Sequence, residues 1–226
     1  MREYFRESKT PFHVYNRGTE KRIIFTDYAE YCRFLFLMWA CRIGRPESSN
    51  RKDIIKAAEA ILGGVEPDPD LYVKEGDGPL VNFVAWNLEP NHFHFLLTSS
   101  VDGGIAKYMS KLSNAYTKYF NAKYRRSGHL FEGKFKSAHV DTDEYLDYLS
   151  AYIHLNPREL RGFSGLEVNY TWSSFQDFVH ENRLGGFLKP GIILEKFYKG
   201  SEYEKFVTEL PIKTTRDNLD GDLLID

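Results

Sequence analysis

The chain of 226 residues predicts an α+β fold: a ferredoxin-like split βαβ unit with an antiparallel sheet and its helices on one face. Two observations carry that expectation. Strand-like and helix-like stretches follow in the order strand, helix, hairpin, helix, strand, helix. The composition, 42% hydrophobic and 15% aromatic, is also enough to bury a substantial core in a single domain with attachments.

Residues 12–15 (FHVY) read as the first strand, closed by the turn residues Asn16, Arg17 and Gly18. Over residues 27–43 apolar side chains return at helical spacing (Tyr31, Phe34, Leu35, Met38, Trp39), behind a cap signal at Thr26 and Asp27. Residues 45–79 differ: polar ends, a short helical piece around residues 54–62, then the turn-rich GGVEPDPD and EGDGP. They read as an insertion rather than a core element. Residues 81–88 and 92–98 form two strands joined by EPN as a hairpin. Gly103 and Gly104 precede a helix over 105–123, residues 135–140 read as a strand, and Thr142/Asp143 cap a helix running to about Leu155. Pro157 ends it, because proline disfavours helical geometry in the residue before it.

After Trp172 the pattern weakens. Residues 201–226 carry Glu202, Glu204, Glu209, Asp217, Asp220, Asp222 and Asp226 against Lys205, Lys213 and Arg216, the composition of a solvated tail. The expected layout is one domain over residues 1–180, interrupted at about 45–79, and an acidic C-terminal extension over 181–226.

The net charge of −2 argues against a uniformly basic nucleic-acid coat, but allows a basic face balanced elsewhere. Cys32 and Cys41 fall in one predicted helix and make no disulfide framework, which points to a reducing compartment. The N-terminus lacks the apolar core of a signal peptide, and the longest apolar run, residues 34–41, is too short to span a bilayer. A cytoplasmic protein with no membrane partner is expected.

The hairpin's second strand, NHFHF, raises the chemical question. Alternate strand side chains point to opposite faces, so His92 and His94 share one face while Phe93 and Phe95 share the other. The phenylalanines can pack under helices. The two imidazoles can then bind one ion and leave positions open for a substrate oxygen, as a Lewis-acid site requires. The last predicted helix carries Tyr145, Tyr148 and Tyr152 in one stripe, a pattern that is usually core and does not by itself single out one of the three. Asn156 lies one turn beyond Tyr152 on the same side. Between residues 107 and 136, Lys107, Lys111, Lys118, Lys123, Arg125, Arg126, Lys134 and Lys136 are interleaved with aromatic residues, and Glu132 is the only acid. Cations with stacking surfaces suit a single-stranded or hairpin nucleic acid.

Five motifs in series, FHVYNRG at 12–18, PNHFHFLL at 90–97, GHLFEGKFKS at 128–137, YIHLNPREL at 152–160 and WSSF at 172–175, resemble the HUH (His-hydrophobic-His) single-tyrosine transposases. The match is to the branch known as REP-associated tyrosine transposases, or IS200-like transposases, and covers roughly residues 8–180. The resemblance implies an HUH endonuclease-type sheet and a metal-dependent DNA strand transferase or endonuclease working through a 5′-phosphotyrosine. It assigns His92 and His94 as metal ligands for Mg²⁺ or Mn²⁺, Asn156 as a further polar ligand and Tyr152 as the nucleophile. It implies single-stranded or hairpin DNA as partner, with Arg17, Lys107, Lys111, Arg125, Arg126, His129, Lys134 and Lys136 as contact candidates, and a monomer or a homodimer as the working unit. Two segments depart from the pattern: residues 45–79 are longer than the usual link, and no motif follows residue 180. The acidic end is then a candidate for limiting non-specific DNA binding. A domesticated, non-catalytic binder of DNA hairpins is the alternative, and a metal-binding structural domain a weaker one.

Overall fold

The computed structural model describes residues 10–211. In chain order the elements are β1 (Pro11–Arg17), α1 (Tyr28–Ile43), β2 (Gly44–Pro46), α2 (Arg51–Leu62), β3 (Tyr72–Lys74), β4 (Val81–Glu89), β5 (His92–Ser99), α3 (Gly104–Lys123), β6 (Lys136–His139), α4 (Asp143–Leu155), α5 (Phe175–Val179), α6 (Gly191–Leu194) and α7 (Gly200–Glu209). The main sheet runs β4-β5-β1-β6, and each neighbouring pair is antiparallel. β1 and β4 are therefore parallel to each other with β5 between them, which is the split βαβ arrangement.

Local signals set the helix boundaries. The Asp27 carboxylate accepts from the Glu30 amide, and the Thr142 hydroxyl from that of Tyr145, so both caps expected from sequence are in place. Gly104 opens α3 because a Cβ there would lie 2.4 Å from the Leu80 carbonyl oxygen, closer than any side chain tolerates.

Phe93 and Phe95 point into the layer under α1 and α3, where their rings lie 5.4 and 6.4 Å from that of Phe34. The expectation of helices on one face holds for α1 and α3. The third long helix of the unit, α4, covers the opposite face instead, since Tyr152 lies against His94 and His13 there. The insertion adds to the α1 side. α1 is buried almost all the way round, over FLFLMWAC, because α2 packs on its outer side with Ile54, Ala57, Ala58 and Ile61. Residues 45–79 thus form a layer of their own, α2 plus the small β2–β3 sheet.

β4 would be an exposed edge, but the WSSF segment lines it. The Leu88 amide donates to the Trp172 carbonyl (2.9 Å) and the Ser174 amide to that of Trp86 (3.0 Å). Further along β4 the Lys189 amide donates to the Phe83 carbonyl at 2.8 Å. The segment after residue 180 is packed, with Leu184, Phe187, Leu188, Ile193, Tyr203 and Val207 all buried. The solvated reading of residues 201–209 is corrected accordingly. α7 is amphipathic, turning Tyr203 and Val207 inward and leaving Glu202 and Glu209 outside, so the acid count hid its apolar stripe. Residues 212–226, with Asp217, Asp220, Asp222 and Asp226, lie outside the described residues. Among the described residues no helix is long and apolar enough to cross a membrane, and Cys32 and Cys41 are both free and buried.

Candidate active site

Strand alternation assembles one polar face on a sheet whose other face is aromatic. Tyr15 is the cross-strand partner of His94 and Arg17 that of His92 on one side, and on the other Asn87 faces His94 and Glu89 faces His92. His13 lies one pleat from Tyr15 on the same face, and Lys136, opposite Tyr15 on β6, completes the row. The His92 and His94 rings are 5.1 Å apart and perpendicular. His94 Nδ1 is 2.9 Å from His13 Nε2, and His92 Nδ1 is 2.6 Å from Asn91 Oδ1. His94 Nε2 and Asn87 Oδ1 are buried without a hydrogen-bond partner.

α4 brings Tyr152 onto this face, its ring edge-on to His94 at 5.6 Å and to His13 at 6.4 Å. Two residues on, His154 fixes the helix from behind. Its Nε2 meets Ser174 Oγ at 2.8 Å and its Nδ1 the Tyr203 hydroxyl at 2.7 Å, while Ser174 Oγ also accepts from the Trp86 amide at 2.9 Å. The motif residues His154 and Ser174 thereby lock α4 to β4. Asn156 caps α4, with its Nδ2 donating to the Tyr152 carbonyl at 2.8 Å.

Burial dominates the electrostatics. It pushes His13 down to about 3 and His92 to about 4, and it holds His94 well below the usual imidazole range, so all three rings are neutral at pH 7. Burial raises the Tyr152 phenol above its ordinary value, and a hydrogen bond from Asn156 works against that rise. The same amide raises His92 against its own burial. The Asn156 side chain therefore lies near both the first histidine and the tyrosine. Glu89 is buried and pushed up to about 7, first by desolvation.

Neutral imidazoles with an orphaned buried nitrogen fit a divalent ion. Among the described residues no group of three or more His, Cys, Asp or Glu is arranged to hold a metal. The groups that would hold an ion are instead two imidazoles and an amide, a set that would leave several coordination positions open.

The cation candidates fall in two places. After α3 the chain turns back on the end of β1: the Thr19 amide donates to the Leu130 carbonyl (2.9 Å), and the Glu132 amide to that of Arg17 (2.9 Å). This places His129 and Lys134 around an open cavity of about 490 Å³ walled by Thr19, Phe131 and Glu132, and Arg17 is tied to it through Glu132. Arg17 forms a two-pronged pair with Glu132, at 3.1 and 3.2 Å, and its Nη1 is buried without a partner. Arg126 bonds Asn121 and the His129 carbonyl, Arg125 is exposed in a left-handed turn (φ 50°), and the Lys136 ammonium stands 6.0 Å over the Tyr15 ring. Lys107 and Lys111 are not brought to this group. They lie on the first half of α3 beside the insertion, where Lys111 bonds Glu75 (2.6 Å) and the Gly44 carbonyl (2.9 Å).

Residues 78–156 match the family model described as "Transposase IS200 like". Over this span the chain is similar to that family. The matched span runs from the hairpin strands through α4 and so contains His92, His94, Tyr152 and Asn156. A solved structure of a REP-associated tyrosine transposase bound to a REP hairpin is similar over 84% of this chain and 90% of that one, with a TM-score of 0.44 and 16% identity. No curated protein matches the sequence.

Sequence reasoning passed over His13, Tyr15, Asn87 and Glu89. The signal for the first two was present: FHVYNR alternates as NHFHF does, and His13, Tyr15 and Arg17 fall on one face by the same period of two. Asn87 and Glu89 follow only once the hairpin register is known.

Proposed function

We propose that this chain is a metal-dependent DNA strand transferase that cleaves and rejoins single-stranded or hairpin DNA through Tyr152. The observation that carries the reading is the convergence of His92, His94 and Tyr152 on one sheet face, with Asn156 bonded to the Tyr152 carbonyl one turn on. The ion, Mg²⁺ or Mn²⁺, would be held by His92, His94 and the Asn156 side chain, and when bound would withdraw charge from the scissile phosphate.

The protein's own groups do the rest. His92 and His94 stay neutral, so their lone pairs are available at neutral pH. The Tyr152 oxygen attacks phosphorus in line, forming a P–O bond to the tyrosine as the bond to the 3′ oxygen breaks. The phenol loses its proton and the departing 3′ oxygen gains one, giving a 5′-phosphotyrosine and a 3′-hydroxyl. A second 3′-hydroxyl reverses the step and joins a new strand. No high-energy cofactor is needed, because each bond broken is matched by an equivalent one formed. A tyrosine pushed above its ordinary pKa is a poor nucleophile unless activated, so little cleavage is expected without the ion. Arg17, Arg125, Arg126, His129, Lys134 and Lys136 border the approach and would neutralise backbone phosphates. Lys107 and Lys111 stand apart from that track.

The test uses labelled single-stranded hairpins, drawn from inverted repeats flanking the gene, with Mg²⁺ or Mn²⁺, read as a covalent protein–DNA adduct on a denaturing gel. An adduct that disappears in Tyr152→Phe while hairpin binding persists is expected. Binding without any adduct would establish the non-catalytic reading instead, and an adduct still formed by Tyr152→Phe would sink the assignment of the nucleophile.

A further inference from the structure

We infer that His13 is a positioning residue for the ion site: its Nε2 accepts the Nδ1 proton of His94 and so fixes His94 in the tautomer whose Nε2 lone pair faces the ion. The inference rests on the metal-dependent reading of the same site.

The geometry allows one proton between two nitrogens. His13 Nε2 and His94 Nδ1 are 2.9 Å apart, their rings are 16° from parallel, and both residues are fully buried. Each ring has one further nitrogen, His13 Nδ1 and His94 Nε2, and neither finds a partner in the protein. Two arrangements are possible. If His13 donates, the proton of neutral His94 must sit on Nε2, and that nitrogen cannot bind an ion. If His94 donates, its Nε2 carries the lone pair and can do so. An ion at the site is compatible only with the second arrangement, so His13 acts as acceptor.

Metal-binding histidines generally hold their second ring nitrogen to a carboxylate, carbonyl or water, which sets the ring's orientation and tautomer. Here the partner is a neutral imidazole. That choice has a consequence for a phosphodiester substrate. A carboxylate behind His94 would add a negative charge close to the incoming phosphate, whereas an imidazole orients the ligand without that repulsion. Strand register supplies the position: Tyr15 directly faces His94, and His13, one pleat away, reaches it diagonally. His13 also meets Tyr152 edge-on at 6.4 Å, so one ring packs against both the histidine and the tyrosine.

The test is a Mn²⁺ titration of the full chain, followed by the electron paramagnetic resonance signal of free Mn²⁺, with no DNA present. His13→Phe keeps a ring but removes the acceptor and should weaken Mn²⁺ binding by roughly 10- to 100-fold. His13→Gln offers a side-chain oxygen as acceptor and should restore affinity to within a few-fold of the unsubstituted chain. His94→Ala separates the two readings. If it leaves Mn²⁺ affinity unchanged, the ion site itself is misassigned. If His94→Ala abolishes binding while His13→Phe binds as well as the unsubstituted chain, only the role of His13 is overturned. Because His13 is buried and the phenylalanine variant can fail to fold, the unsubstituted chain provides a second measurement. Long-range ¹H–¹⁵N correlation spectra with Mg²⁺ should show His94 protonated at Nδ1, and a proton on Nε2 would refute the inference.

Discussion

His154 and Tyr203 share a 2.7 Å hydrogen bond that ties α7 to the helix carrying Tyr152. Tyr203 also donates to Ser150 Oγ at 3.1 Å, one turn earlier on the same helix, and its ring is fully buried. Tyr203→Phe should therefore leave the His154 and Ser150 groups short of a partner in a dry environment and cost about 1–3 kcal/mol. Tyr203→Ala adds a cavity, for a total nearer ~3–5 kcal/mol. Urea unfolding measures both. Adduct formation should fall more than hairpin affinity, because the bond holds α4 rather than the cationic approach. Equal stability of Tyr203→Phe and the unsubstituted chain would show that the bond contributes nothing to holding the helix.

The buried histidines make the ion-free protein acid-labile. His13 and His154 are held near 3 and His92 near 4, all by burial, against 6.5 in the unfolded chain. Between pH 6.5 and those values the unfolded chain binds protons that the folded one does not, so stability is lost as pH falls. Each histidine contributes up to about 1.4 kcal/mol per pH unit in that window. Glu89 works in the opposite sense. Its carboxyl is pushed up from 4.5 to about 7, so its contribution is full below 4.5 and is lost as pH rises toward 7. Unfolding free energies measured in chelator should drop steeply from pH 6.5 to 5. Glu89→Gln keeps the acceptor for Asn87 but removes the buried charge, and should gain on the order of 3 kcal/mol at pH 8, a gain that vanishes by pH 4.5. A flat profile between pH 7 and 5 would mean the histidines are hydrated and free to charge.

The fold's order of elements and most boundaries were legible because each element carries a local signal. Asp27 and Thr142 cap as they read, and α4 ends at Leu155 as expected, although Asn156 before Pro157 keeps helical angles (φ −47°, ψ −43°) and the chain runs on as a 3-10 turn over Asn156–Glu159. His92 and His94 were legible for the same reason, since a period of two is visible in five residues. What escaped was non-local. The face covered by α4 is set by tertiary packing and carries no local signal, and the packing of α7 depends on two apolar residues among acids. His13 sits 81 residues from its hydrogen-bond partner His94, and only strand pairing brings them together. The acidic end illustrates the practical cost. Deleting residues 201–226 would remove Tyr203 and Val207 from the core, so a stop after residue 211 is the clean way to ask whether the acids compete for the basic face. If they do, that shorter chain binds non-cognate DNA more tightly at low salt, and identical affinity across salt concentrations would refute the competition.

The two groups of cations should separate in DNA binding. Arg17 stands beside His92, and its guanidinium is paired to Glu132 with one nitrogen left buried and unpaired. Arg17→Ala should weaken hairpin binding and lower the slope of log affinity against log salt by about one, the signature of one lost phosphate contact. Glu132→Gln releases the same guanidinium from its carboxylate and should tighten binding several-fold at low salt, with the gain shrinking as salt is added. Lys111 is already paired with Glu75 and donates to the Gly44 carbonyl on the helical side of the molecule. Lys111→Ala should leave the affinity and its salt slope unchanged. Fluorescence anisotropy of a labelled hairpin from low to high salt measures all three variants. A loss of slope in Lys111→Ala as large as that in Arg17→Ala would place DNA on the helical face and overturn the assignment of the track to the end of β1.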